Sequence, residues 1–296
     1  MYCDNCQPWE GGGPIWVLGN PQDIKDFLNE CGIPRKYHSE IASNVYCNSC
    51  HSPLELGIQV ALKSMEQKQF ERKMEKWKIT FQPKFHEFTK YLQQYPYLGA
   101  RHHIGRRIID AIENFPKHSI KSQVWYRARQ LTDGIKFTSR DMLPPEPTKV
   151  HIPEGRYNHF GQSHWYLANF EWACANEVKY KTESFAWIQK IKIVQDPKIL
   201  NLCMKHPDHP NPYLSILATG IIYSDTIRKE VIRDNNWKPE YFVPRFIADA
   251  AKMKGYDGIV FNKYLLDSEY LVLFNVDKLK YRFVGIPYIY GCERSH

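Results

Sequence analysis

An α+β fold, with strands gathered into a mixed sheet and helices standing outside any regular repeat, is what this 296-residue chain predicts. Three observations lead there. Alternating or continuous apolar stretches suited to strands recur at Val124–Arg129, Trp165–Ala168, Ala186–Val194, Gly258–Phe261 and Tyr270–Asn275, with a last candidate at Tyr281–Tyr290. Helical spacing dominates residues 52–115 instead. In the second half helices are isolated, as at Pro244–Lys254 before Gly255, so no βα alternation builds a doubly wound sheet.

Taken in order, residues 1–53 form a first unit around Cys3-Asp4-Asn5-Cys6 and Cys47-Asn48-Ser49-Cys50. Two CxxC turns brought together present four thiolates tetrahedrally, the arrangement structural zinc prefers, so Cys3, Cys6, Cys47 and Cys50 are the metal candidates and His51 a replacement ligand. Four unrelated reduced thiols is the alternative. Asp23–Cys31 reads as a helix between the pairs, with Cys31 as a buried apolar thiol. Residues 54–120 form a helical connector. Ser52-Pro53-Leu54-Glu55 has the composition of a helix start, and Leu56, Val60, Met65 and Phe70 follow on one face. Glu66–Lys78 mixes acids and bases as a solvated helix surface does; His86–Leu92 and Ile104–Asn114 are further helices. Arg101, His102, His103, Arg106 and Arg107 form a basic cluster, open to two readings: a phosphate contact or a charged helix start facing water. Residues 121–296 form the third unit. There Tyr213–Tyr223 fits a helix or a buried strand, and the proline-rich loop Leu143–Pro147 leads into the segment that carries the chemistry.

Composition bounds the function. A net charge of +8 suits a polyanionic partner, but the basic residues are spread along the chain, so a nucleotide explains the balance as well as nucleic acid does. No apolar run reaches the length of a membrane span, and MYCDNCQPWE lacks the order of a signal peptide; the expectation is a cytoplasmic chain with no membrane partner. Neither GxGxxG nor GxxxxGK[ST] occurs, which excludes a Rossmann fingerprint and a P-loop. Cys203, His206 and His209 are a weaker metal candidate, in a loop broken by Pro207 and Pro210.

The informative stretch is GRYNHFGQSHWYLANFEWACANE, Gly155 to Glu177. An arginine in a glycine-flanked loop grips phosphate with a two-pronged fork and keeps its charge at cellular pH. A glutamate on the following helix can hold ribose hydroxyls and stabilise positive charge developing on a sugar carbon, as glycosidic cleavage requires. Tyr157 and Tyr166 offer flat faces for nicotinamide or adenine. Each residue alone also has an ordinary structural reading, as surface ion pair, core or helix-end acid.

The ordered constellation Tyr126-Arg127, Gly155-Arg156-Tyr157-Asn158, Tyr166, Glu177 and Gly255-Tyr256-Asp257-Gly258-Ile259 resembles the RES-domain family, named for its arginine, glutamate and serine, over about Val124 to Phe274. The resemblance implies a fold related to ADP-ribosyltransferases and an enzyme that destroys NAD by phosphorolysis or hydrolysis. In bacteria such an enzyme is often the toxin of a pair restrained by an antitoxin. Carried over residue by residue, it implies that Arg156 holds the pyrophosphate, Tyr166 packs the nicotinamide end, Glu177 engages the ribose and Arg127 adds a phosphate contact, with Tyr157 and Asn158 in the binding loop. Inorganic phosphate is the implied co-substrate. Where the family places a serine after the Gly-Ile strand, this chain has Asn262 and Lys263, as hydrogen-bond donor and phosphate contact, and no serine before Ser268. Two rival expectations are transfer of ADP-ribose to a macromolecule and a zinc-knuckle nucleic-acid binder with an inert RES-like part.

Overall fold

Alternating apolar segments far apart in the chain become neighbours in one sheet. The computed structural model describes residues 2–4, 9–10, 13–14, 21–61, 65–113, 115, 117–130, 135–178, 185–203, 211–224, 238–262 and 268–291. Cys6, His206, His209 and Lys263, all expected site residues, lie outside them. The chain divides into two units, Met1–Glu75 and Lys76–His296.

In the first unit, β1 (Tyr2–Cys3), β2 (Trp9–Glu10), β3 (Gly13–Pro14) and β4 (Gln22–Asp23) precede α1 (Ile24–Glu30), α2 (His38–Asn44) and β5 (Gln59–Ala61). β5 pairs antiparallel with both β1 and β4, setting Val60 opposite Cys3 and Gln22. Ile24, Leu28, Ala42, Leu54 and Val60 close a small core around Cys3 and Cys47. The helix expected from Ser52 does not form. Pro53 bridges to Tyr46, Leu56 and Gly57 turn, and the apolar spacing is satisfied by Leu54 in a loop and Val60 in a strand. The helix α3 starts only at Met65 and runs to Thr80. Cys31 is exposed rather than buried, because α1 ends there and the chain swings away at Gly32, whose φ of 71° suits glycine.

In the second unit, α4 (Gln82–Gln94), α5 (His103–Glu113), β6 (Lys117–His118), β7 (Val124–Gln130), β8 (Trp165–Ala168), α6 (Glu171–Val178), β9 (Phe185–Ile193), β10 (Ile199–Leu202), α7 (Pro212–Ile222), α8 (Phe242–Met253), β11 (Gly258–Asn262), β12 (Glu269–Leu273) and β13 (Tyr281–Gly291) follow in order. The fold is α+β: eight strands form one mixed sheet, in the order β13-β9-β7-β8-β12-β11-β10-β6. The β10–β11 pair is parallel and the other pairs are antiparallel. One face carries Trp125, Trp165, Leu167, Ile191, Val260 and Leu271 in a continuous core. Alternation sends Tyr126, Ala168, Tyr270 and Phe261, aligned across four strands, to the other face. α4 buries Phe85, Phe88 and Leu92, and α5 buries Ile104, Ile108 and Ile112; both pack against α8, which rests on β11. Asn211 caps α7 by accepting the Tyr213 and Leu214 amides, which settles that segment as a helix. In the basic cluster, Arg101, Arg106 and Arg107 are exposed and Arg106 Nη1 donates to the Arg101 carbonyl at 2.7 Å, so the charges face water at a helix start.

The sheet has one weak seam. β7 and β8 share a single register pair, Tyr126 with Ala168, whereas β8 and β12 share four. Continued two residues, the ladder would set Ala128 against Tyr166; instead the strands part, and Arg127 Nη1 donates to the Tyr166 carbonyl at 2.9 Å, satisfying a group the ladder leaves open. A cleft opens at this seam.

Candidate active site

The cleft encloses about 310 Å³, lined among the described residues by Arg127 and Ala128 of β7, Gly155 and Arg156 of the loop, Tyr166, Leu167 and Ala168 of β8, and Cys174, Glu177 and Val178 of α6; Lys238, Tyr241, Phe261 and Tyr270 complete it. Four of the expected residues, Arg127, Arg156, Tyr166 and Glu177, therefore meet around one space. Its charged lining is three cations against one carboxylate, which favours an anionic ligand carrying a cationic end.

Arg156 is 7% exposed, its guanidinium 5.2 Å from the Tyr241 ring and 5.7 Å from that of Phe261. Those two rings hold the planar group in place. Burial, with Arg129 nearby, lowers Arg127 to about 10, so it stays charged at neutral pH; its Nε is buried without a partner. Glu177, in the last turn of α6, stands exposed at the rim. On the same helix the Cys174 thiol donates to the Tyr126 carbonyl at 3.0 Å, and burial pushes it up to about 12; it is a neutral wall, not a nucleophile.

Tyr166 ties the loop to the sheet. Its hydroxyl donates to Asn158 Oδ1 at 2.8 Å and accepts the Tyr157 amide at 3.2 Å, and burial raises its pKa, so only its ring is offered to a ligand. Asn158 spends its amide on the Pro153 and His159 carbonyls, at 3.0 and 3.1 Å. It is a knot within the loop and does not line the cleft. Nor does Tyr157, which is fully buried with its ring 4.9 Å from Phe261. Asn262 Nδ2 donates to the Ser268 carbonyl at 3.2 Å, and Asn262 also lies outside the lining. These three side chains support the wall and its neighbourhood rather than face the cavity.

Gly155 has no room for a side chain, since a Cβ there would meet Asn158 Oδ1 and the Tyr166 hydroxyl. Gly155→Ala should therefore break both hydrogen bonds and cost about 2 kcal/mol, measurable as a lowered urea midpoint at unchanged m-value. His164, just before β8, is 7% exposed; burial and Lys252 depress it to about 4. The unfolded chain takes up that proton near pH 6.5 and the folded chain only near 4. Stability should fall as pH drops through this window, by about 3 kcal/mol in full, and His164→Gln should flatten the slope in pH-dependent urea melts.

Residues beyond the sequence reading are Lys238, Tyr241, Cys174, Phe261 and Tyr270 in the lining and Arg245 behind it. Arg245 was the visible clue: one arginine within the apolar run Phe242–Ala251, fully buried in the structure.

In the first unit, the ligand atoms of Cys3, Cys47 and Cys50 all lie within 4.8 Å of one another, and the cluster could hold a metal ion. Cys3 and Cys50 sulfurs are 3.5 Å apart. The Ser49 amide donates to Cys47 Sγ at 3.4 Å, and the His51 amide closes the turn on the Cys47 carbonyl at 3.0 Å, with His51 at a φ of 58°. Burial raises the Cys47 thiol, but amide groups of Cys50, Ser49 and Cys3 outweigh it and bring it down to about 6; hydrogen bonds from Ser52 lower Cys50. Three sulfurs this close, two of them with lowered thiol pKa, are a donor set suited to a thiophilic ion. No helix among the described residues is long and apolar enough to cross a membrane.

No protein-family model matches this chain, and no curated protein matches it. Among solved structures it is similar to a chain of the M. tuberculosis MbcT–MbcA toxin–antitoxin complex, at a TM-score of 0.34 and 14% identity, over 63% of this chain and 92% of that one.

Proposed function

We propose that this chain is an NAD-degrading enzyme that cleaves the nicotinamide–ribose bond by phosphorolysis or hydrolysis. The observation that carries the reading is the convergence of Arg156, Arg127, Tyr166 and Glu177 on the cleft at the β7–β8 seam. The ordered motifs that resemble the RES-domain family point the same way. NAD pairs a diphosphate with a cationic ring, matching the charges of the lining. Arg156 and Arg127 grip the diphosphate, the rings of Tyr166 and Tyr270 flank the nicotinamide end, and Glu177 at the rim engages the ribose and stabilises the oxocarbenium-like state as nicotinamide leaves. Lys238 supplies a further cation, suited to an inorganic phosphate acceptor. Residues 121–296 carry this reaction, the helices within 65–113 precede them, and 1–53 hold the metal. Such activity would poison its own cell, which fits a bacterial toxin or defence effector held by an antitoxin or regulatory protein in the cytoplasm.

Incubating the full chain with NAD, with and without phosphate, tests the reading. Nicotinamide release in both conditions means hydrolysis, and release only with phosphate means phosphorolysis. Label retained on protein or nucleic acid means transfer, and intact NAD throughout rejects all three.

The same reading gives the cysteine cluster a structural zinc, held by Cys3, Cys47 and Cys50 with Cys6 as fourth ligand. Structural zinc supplies on the order of 10 kcal/mol to a folded site at neutral pH. The purified chain should carry about one zinc, read by atomic spectroscopy, and a strong chelator should expose residues 1–75 to proteolysis. Cys47→Ser should purify without metal; metal-free wild-type protein resistant to proteolysis would reject the ion.

A further inference from the structure

The loop that carries Arg156 is held from behind by one face of one helix. On α8, Arg245, Asp249 and Lys252 fall at i, i+4 and i+7, a spacing that aligns them. Each grips a different part of the loop. Arg245 Nε donates to the Gly155 carbonyl at 2.9 Å and Nη1 pairs with Glu154 at 2.7 Å. Asp249 Oδ2 meets His159 Nε2 at 2.7 Å. Lys252 Nζ donates to Gln162 Oε1 at 3.3 Å and to Asp249 at 3.0 Å. Gln162 in turn accepts the His159 amide at 3.1 Å. Start, middle and end of residues 154–162 are thus tied to one rigid rod.

The placement is costly, which argues that it does something. Arg245 is fully buried, and its Nη2 has no hydrogen-bond partner. A buried guanidinium is a poor way to gain stability, since apolar residues of similar volume commonly do as well. Its fork does fix geometry: one arm holds the backbone carbonyl of Gly155, next to Arg156, and another holds Glu154.

We propose that Arg245 is a positioning residue that presets Arg156 for the diphosphate, with Asp249 and Lys252 completing the clamp; its role in turnover rests on the NAD reading above, its role in ordering the loop does not. A preset Arg156 spares the ligand the entropy of ordering the loop, so loss of the clamp appears in KM more than in kcat.

The test compares Arg245→Met, Arg245→Lys and Asp249→Asn in the full chain by hydrogen exchange and NAD kinetics. In Arg245→Met, amides of residues 155–161 should exchange at least tenfold faster while β11 and β12 keep their protection, and KM for NAD should rise about tenfold with kcat within threefold. Arg245→Lys, which can restore one of the two grips, should recover part of both changes. Asp249→Asn, at a partly exposed site that folds readily, should loosen residues 159–162 with a smaller rise in KM. In an Arg156→Ala background Arg245→Met should leave KM unchanged, because nothing remains to position. Exchange raised equally across the sheet, unaltered exchange in the loop, or a full additional KM effect without Arg156 would each overturn the proposal. A wild-type chain that leaves NAD intact would reject the NAD reading and leave the exchange data to decide the clamp.

Discussion

Glu177→Gln should lower kcat for nicotinamide release by about a thousandfold and leave KM within a factor of three, as expected when a charge that acts only in the transition state is removed. On the proposed NAD reading, glutamine preserves the shape and a hydrogen bond to a ribose hydroxyl. It loses the negative charge opposite the forming cation. The same substitution should not weaken the fold. Glu177 lies in the last turn of α6, where the helix dipole disfavours an acid, and its exposed side chain fills no core. Neutralising it should leave stability unchanged or raise it by about 0.5 kcal/mol. Activity lost while the urea midpoint holds or rises separates a chemical role from a structural one; equal losses of both would assign Glu177 to the scaffold.

Arg156→Lys should lower kcat/KM for NAD by about a hundredfold, most of it in KM, although the charge is kept. An ammonium cannot fill the slot between the Tyr241 and Phe261 rings as a planar guanidinium does, nor offer two parallel donors to a diphosphate. Arg156→Ala should fall further, and free guanidinium added to that variant should recover part of the rate. Steady-state kinetics at fixed ionic strength read both. A lysine variant equal to wild type would mean that charge alone suffices and that the ring slot is incidental.

Much of the sheet was legible because its strands bury one or both faces and so write an apolar pattern. Trp165–Ala168 was expected and observed at the same residues, the segment at Ala186–Val194 shifted by one residue, and that at Gly258–Phe261 extends by one to Asn262. The helix expected at Pro244–Lys254 begins two residues earlier, at Phe242. Ser52–Glu55 misled because its composition imitates a helix start, while Gly57 and pairing to Cys3 decide the outcome; pairing between distant segments leaves no local mark. The site was half legible for the same reason. Arg156, Tyr166 and Glu177 stand in a recognisable order, but order does not say which way a side chain faces. The burial of Tyr157, the inward bonds of Asn158 and the arrival of Lys238 and Tyr241 depend on how residues 153–162 fold against α8. The seam itself is a matter of register, since β7 and β8 each read as ordinary strands.

The most direct test of the central claim is a crystal structure of the full-length Glu177→Gln protein soaked with NAD. The account predicts the diphosphate within hydrogen-bond reach of the Arg156 and Arg127 guanidinium groups, with the nicotinamide ribose beside residue 177 in the β7–β8 cleft. NAD bound elsewhere, or a cleft that stays closed to it at saturating concentration, would contradict the account.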